Sequence, residues 1–171
     1  MKKITVLLVA AFSLSASAAV AETNPTTTPN ASQQCKTLRT QLGDATFKAT
    51  YGTNKNKSNA HGKCVSQMAK KQANVQSTSQ SQCKAEDKAD PVAFKAKYGT
   101  NKNKNNAFGK CVSAAATAAS KAQTTAIVNA AKQCKAERAA DVAAFKAKYG
   151  TNKNKANAFG KCVSKLAGAK S

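Results

Sequence analysis

Gln133–Ser164 reads QCKAERAADVAAFKAKYGTNKNKANAFGKCVS. Gln82–Ser113 repeats it almost letter for letter as QCKAEDKADPVAFKAKYGTNKNKNNAFGKCVS, and Gln34–Ser66 holds a looser copy, QCKTLRTQLGDATFKATYGTNKNKSNAHGKCVS. Self-similarity at this period marks an array of small structural units, so the repeat decides the fold before any single residue does. Each copy opens and closes with a cysteine: Cys35 and Cys64, Cys83 and Cys111, Cys134 and Cys162. The gaps are nearly equal. Six cysteines allow many pairings, and economy favours one bridge inside each copy. A unit of this size buries little apolar surface and needs such a staple. Thiolate metal ligation fits less well, because zinc ligands come in close pairs such as C-x₂₋₄-C and none occurs here.

Local signals within a copy are helical. Asp90 followed by Pro91 is a start signal, with Asp as the cap and Pro at the first helical position, and Asp141 stands in the same place. Phe94 and Tyr98, Phe145 and Tyr149, and Phe47 and Tyr51 are each four apart, on one helical face. Gly99 is expected to end the helix. The polar stretch TNKNK follows as a loop, and Asn59, Asn106 and Asn157 are candidate caps for a second helix through the closing cysteine. CKAERAA, before Asp141, reads as a further short helix. Val92, Phe94, Tyr98, Phe108 and Val112 are the expected core of the middle copy. Gly62, Gly109 and Gly160 stand where glycine weakens a helix, which suggests close packing of that helix on Phe94 or Tyr98 and their counterparts. The fold class expected is all-α: three small helical modules, each closed by a disulfide.

The flanking segments complete the organisation. Residues 1–21 combine Lys2 and Lys3, an apolar run and a small-residue end, Ala19-Val20-Ala21, as a secretory signal peptide does. The run is shorter than the about 20 residues that span a bilayer, so no integral membrane segment is expected after its removal. Residues 22–33 read as a disordered arm, 34–66 as module 1, and 67–81 as a Ser/Gln linker. Module 2 follows at 82–113, an Ala-rich linker that could be helical at 114–132, and module 3 with a C-terminal tail at 133–171. Export, to the periplasm or beyond the cell, agrees with the cysteine framework.

Charge is the strongest functional signal. The chain has 28 basic and 7 acidic side chains, a formal net charge of +21. Only Arg39 and Arg138 are arginines. Lysine is a hydrated point charge without the planar fork that reads phosphates or base edges, so the balance favours unspecific attraction to polyanions. The lysines of each loop and of the helix turn after it form candidate anion sites: Lys55, Lys57 and Lys63; Lys102, Lys104 and Lys110; Lys153, Lys155 and Lys161. A merely solvated charged loop is the competing reading. A calcium loop is excluded because no acid lies between Asp44 and Glu86, and the pattern is not a P-loop.

Catalysis finds no support. The single histidine, His61, stands where the other copies carry Phe108 and Phe159, and reads as an aromatic replacement rather than a base. A nucleophilic pair with Cys64 would exist in one copy alone. No cofactor is implied, and the sequence points away from an enzyme.

The string FKAKYGTNKNKxNAFGKCVS resembles a repeat of small exported bacterial proteins; the resemblance covers all three copies and brings no activity with it. Module 1 departs from it at Thr50 and His61. The expectation is an exported, non-catalytic basic protein whose lysine loops together bind an acidic polymer, either cell-envelope polysaccharide or nucleic acid. A structural envelope or stalk component is the alternative, and a cationic antimicrobial protein the second alternative.

Overall fold

The structure, a computed structural model, describes residues 28–168. The leader expected at 1–21, residues 22–27 of the arm and residues 169–171 of the tail lie outside them. The described residues form seven α-helices: α1 (Ala31–Leu42), α2 (Asp44–Tyr51), α3 (Ala60–Ala89), α4 (Pro91–Tyr98), α5 (Ala107–Ala140), α6 (Val142–Tyr149) and α7 (Ala158–Gly168). The all-α class holds.

Residues 28–33 of the expected disordered arm are ordered and run into α1. Asn30 begins α1 with a capping box: its Oδ1 accepts from Gln33 N at 2.9 Å, and Gln33 Oε1 accepts from Asn30 N at 2.9 Å. Two backbone donors are thereby satisfied where a helix otherwise leaves them bare. Gln72 Nε2 donates to Pro29 O at 2.6 Å, tying the arm to α3. Asp90 and Asp141 cap α4 and α6 as expected, accepting from Ala93 N and Ala144 N at 2.9 Å.

The expected linkers are not separate elements. Residues 67–81 lie inside α3 and 114–132 inside α5, which run for 30 and 34 residues. CKAERAA is the last part of α5, not a helix of its own. Neither segment contains Gly or Pro to break it, and each packs on the other: Gln76 and Gln80 share a groove with Phe108 and Val112, and Gln72 one with Ala116 and Ser120. Descending numbers in α3 meet ascending numbers in α5, so the two helices are antiparallel. At 1.5 Å per residue they form a hairpin about 45 Å long. The buried positions of α5 along this seam include Ala116 and Ser120, small enough for the backbones to approach closely.

Each module is a turn of this chain closed by one bridge. Cys35–Cys64, Cys83–Cys111 and Cys134–Cys162 all form, with Cα atoms 6.0 Å apart and sequence separations of 29, 28 and 28. In the chain-entropy account a loop of this length contributes about 3.6 kcal/mol. Within each module the short helix lays its Phe and Tyr together, with ring centroids 5.0 Å apart.

The modules do not have three separate cores. Module 2 keeps a small one: Cys83, Phe94, Ala107, Cys111 and Val112, with Tyr98 and Phe108 half-buried beside it. Val92, expected there, is 80% exposed. Two residues along a helix turn it by about 200°, so with Phe94 inward Val92 faces water. Modules 1 and 3 share one core, in which Leu38, Phe47, Tyr51 and Met68 pack with Ile127, Phe145, Phe159 and Val163. Burial in this core pushes the Tyr51 phenol pKa well up.

The junction of modules 1 and 3 explains Gly160. A Cβ there would lie 2.5 Å from Thr50 O, because α2 crosses the start of α7 backbone to backbone. Gly62 and Gly109 have no such neighbour within 4 Å. The close approach expected of all three glycines therefore exists at one, and its partner is another module rather than Phe94 or Tyr98.

Candidate polyanion-binding loops

Each loop is built to one plan. Gly99 N donates to Lys95 O at 2.9 Å and closes α4, but Gly99 has φ −73°, which any residue can adopt. Its role is spatial. A Cβ on it would lie 2.6 Å from Lys104 Cδ and 2.7 Å from Lys104 Cβ. The left-handed residue is Lys104 itself, at φ 58°, and its Nζ folds back to donate to Gly99 O at 3.0 Å. Lys57 (φ 59°) donates to Gly52 O at 2.8 Å, and Lys155 (φ 54°) to Gly150 O at 3.0 Å. An unbranched non-glycine residue here costs about 1–2 kcal/mol, which the ammonium-to-carbonyl bond offsets.

Asn106 clasps the loop. Its Oδ1 accepts from Thr100 N at 3.0 Å, and its Nδ2 donates to Thr100 Oγ1 at 2.6 Å. Asn59 and Asn157 hold Thr53 and Thr151 in the same way. These asparagines precede their helices as expected, but Asn59 and Asn106 do not cap theirs with the side chain; at φ −88°, ψ 3° Asn106 lacks the extended backbone a capping side chain needs. The first turns of α3 and α5 therefore carry no side-chain cap. Amides at a helix start that lack a partner attract anions.

The expected lysine triads divide by role. Lys57, Lys104 and Lys155 are structural, engaged with the backbone. Lys55, Lys102 and Lys153 are exposed on the loops, and on the following first turns Lys63 and Lys161 are exposed and Lys110 is half-buried. Six of the nine remain as candidate anion-binding cations.

The antiparallel order places the loops at two ends. α1 runs against α3, α3 against α5 and α5 against α7. The loops that enter α3 and α7 therefore share one end of the molecule, where α2 touches α7. The loop that enters α5 lies at the other end of the hairpin. No sequence signal announced this arrangement except the departures of module 1, whose Thr50 takes the place of a lysine that in the other modules is exposed.

The carboxylates are committed elsewhere. Asp44 pairs with Lys48 and Arg39, and hydrogen bonds from both hold its carboxyl below the usual range. Glu86 accepts from Lys97 Nζ at 2.7 Å and Tyr98 Oη at 3.0 Å. Glu137 accepts from Lys148 Nζ at 2.6 Å and Tyr149 Oη at 2.9 Å. The lysine, then the tyrosine, lowers the pKa of each glutamate, and the glutamate raises that of its lysine. Asp90 and Asp141 are helix caps. Among described residues only Asp87 has neither duty. Residues 45–85 and 91–136 contain no carboxylate side chain, yet include Lys70, Lys71, Lys121 and Lys132 along the hairpin. Sequence reasoning passed over these four; the empty stretches between acids were the signal.

His61 is half-buried, and Cys64 is bonded to Cys35 rather than available to it as a nucleophile. No helix among the described residues is long and apolar enough to cross a membrane.

Comparison brings no relative to lean on. No protein-family model, curated protein or solved structure matches this chain. The reading of function rests on the chain's own geometry and charge.

Proposed function

We propose that this is an exported, non-catalytic protein that binds acidic polymers through its lysine loops. One observation carries the reading: of the described carboxylates all but Asp87 are spent on caps, on lysine–tyrosine brackets or on the Asp44 ion pairs, while Lys55, Lys102 and Lys153 on the loops and Lys70, Lys121 and Lys132 on the hairpin are exposed and form no ion pair. A surface arranged only for solubility would intersperse both signs. The leader-like sequence at 1–21 and three formed disulfides support an oxidising compartment. Anionic polysaccharide is favoured over single-stranded nucleic acid, because stacking needs exposed rings and Phe47, Phe94, Phe145, Tyr51 and Tyr149 are buried.

A structural stalk is the second reading, favoured by the continuous α3–α5 hairpin with a stapled module at its far end. The test is binding of the purified, oxidised protein to a labelled acidic polysaccharide at about 50 and 200 mM salt, the range over which charge contacts weaken. Affinity is expected to fall at least about tenfold. Absence of binding at both salt concentrations leaves the stalk reading in front.

A further inference from the structure

We infer that the protein holds a single linear anionic polysaccharide lengthwise, from the end with two lysine loops to the end with one. The inference rests on the polyanion reading above and adds the geometry of its ligand. Lys55 and Lys153 belong to loops at one end, and Lys102 to the loop at the other. The ends are joined by α3 and α5, which are continuous and packed on each other, so their separation of about 45 Å is set by helix length. Between them Lys70, Lys71, Lys121 and Lys132 extend along the shaft, within stretches 60–85 and 107–136 that hold no carboxylate; Glu86, Asp87 and Glu137 lie at its ends. A chain shorter than the shaft reaches one end. A chain longer than it reaches both, and the second contact is intramolecular at a fixed distance, which raises affinity without any new type of contact. Lysines without exposed stacking rings suit a polymer recognised by charge spacing alone.

The test uses sulfated oligosaccharides of equal charge density, with contour lengths of about 20 Å and about 60 Å, titrated into the oxidised protein by calorimetry. The expected result is one protein per longer chain and a step of about 100-fold in affinity over the shorter chain. Replacing the far-end cations, Lys102→Gln with Lys110→Gln, is expected to remove most of that step, while circular dichroism confirms that the helices persist. Equal affinity for the two lengths, or two proteins per longer chain, overturns the lengthwise arrangement and leaves the polyanion reading standing. Single-stranded DNA of the same contour binding more tightly than the polysaccharide overturns the choice of ligand. Failure of the unaltered protein to bind either length at low salt overturns the polyanion reading itself, and this inference with it.

Discussion

Gly160 and Gly109 occupy the same place in two nearly identical strings, and the structure gives them opposite needs. At Gly160 a side chain would meet the Thr50 carbonyl at 2.5 Å; at Gly109 it would meet nothing within 4 Å. Gly160→Ala is expected to destabilise by about 1–3 kcal/mol, because backbone must move. Gly109→Ala is expected to stabilise by about 0.5–1 kcal/mol, the ordinary gain of alanine in a helix. Urea unfolding midpoints of the two variants decide this, and a shift of the same sign in both would sink the account of the junction. Glu86 and Glu137 are the second case at this scale. Their pKa values are lowered in the folded state from an ordinary 4.5, so they stabilise above that value and the contribution is lost as pH falls through the folded value. Between about pH 5 and pH 3 the melting temperature of the unaltered protein is therefore expected to fall more steeply than that of a Glu86→Gln/Glu137→Gln variant. Parallel curves would show that the brackets carry no linked stability. Asp90 was legible in sequence because a cap acts on its own neighbours. Asn106 was misread because the same side chain can cap a helix or clasp a loop, and backbone angles decide which.

At the level of elements, the helix starts and the short aromatic helices were legible, since each depends on residues within one or two turns. The long helices were legible only in part: 114–132 could be read as a helix joining modules 2 and 3, as it is in α5, whereas 67–81 read as a flexible linker. A Ser/Gln stretch and an Ala-rich stretch have no strong apolar stripe, and a lone helix of that composition is marginal in water. Pairing along the hairpin is what makes both continuous. The bridges then differ in what they protect. Cys83–Cys111 staples the small core of module 2, whereas Cys35–Cys64 and Cys134–Cys162 lie in the larger shared core. Replacing Cys83 and Cys111 with alanine removes about 3.6 kcal/mol of chain-entropy stabilisation from one end. Hydrogen exchange is expected to quicken in α4, its loop and the start of α5, while α1 and α7 keep their protection. Uniform loss of protection along the chain would contradict the division into two cores.

For the whole molecule, the substitutions in module 1 take on a meaning they lacked in isolation. Where modules 2 and 3 bracket their tyrosines with a glutamate and a lysine, module 1 has Leu38 and Thr50, and that face is the one covered by module 3. A charged bracket under another helix would have to be desolvated, at a cost its mutual attraction seldom returns. Leu38 instead adds apolar area to the shared core. The same association sets the charge map, because it brings two lysine loops to one end and leaves the third alone. Sequence alone determined the helical class, the unit that is repeated, the places of the disulfides and the excess of lysine, because each follows from local pattern or composition. Tertiary structure decided which glycine is indispensable, which lysine of each loop is structural, that modules 1 and 3 share a core, and where the loops lie relative to one another. Those depend on contacts between residues far apart in the chain, and three nearly identical strings cannot say which of them will meet.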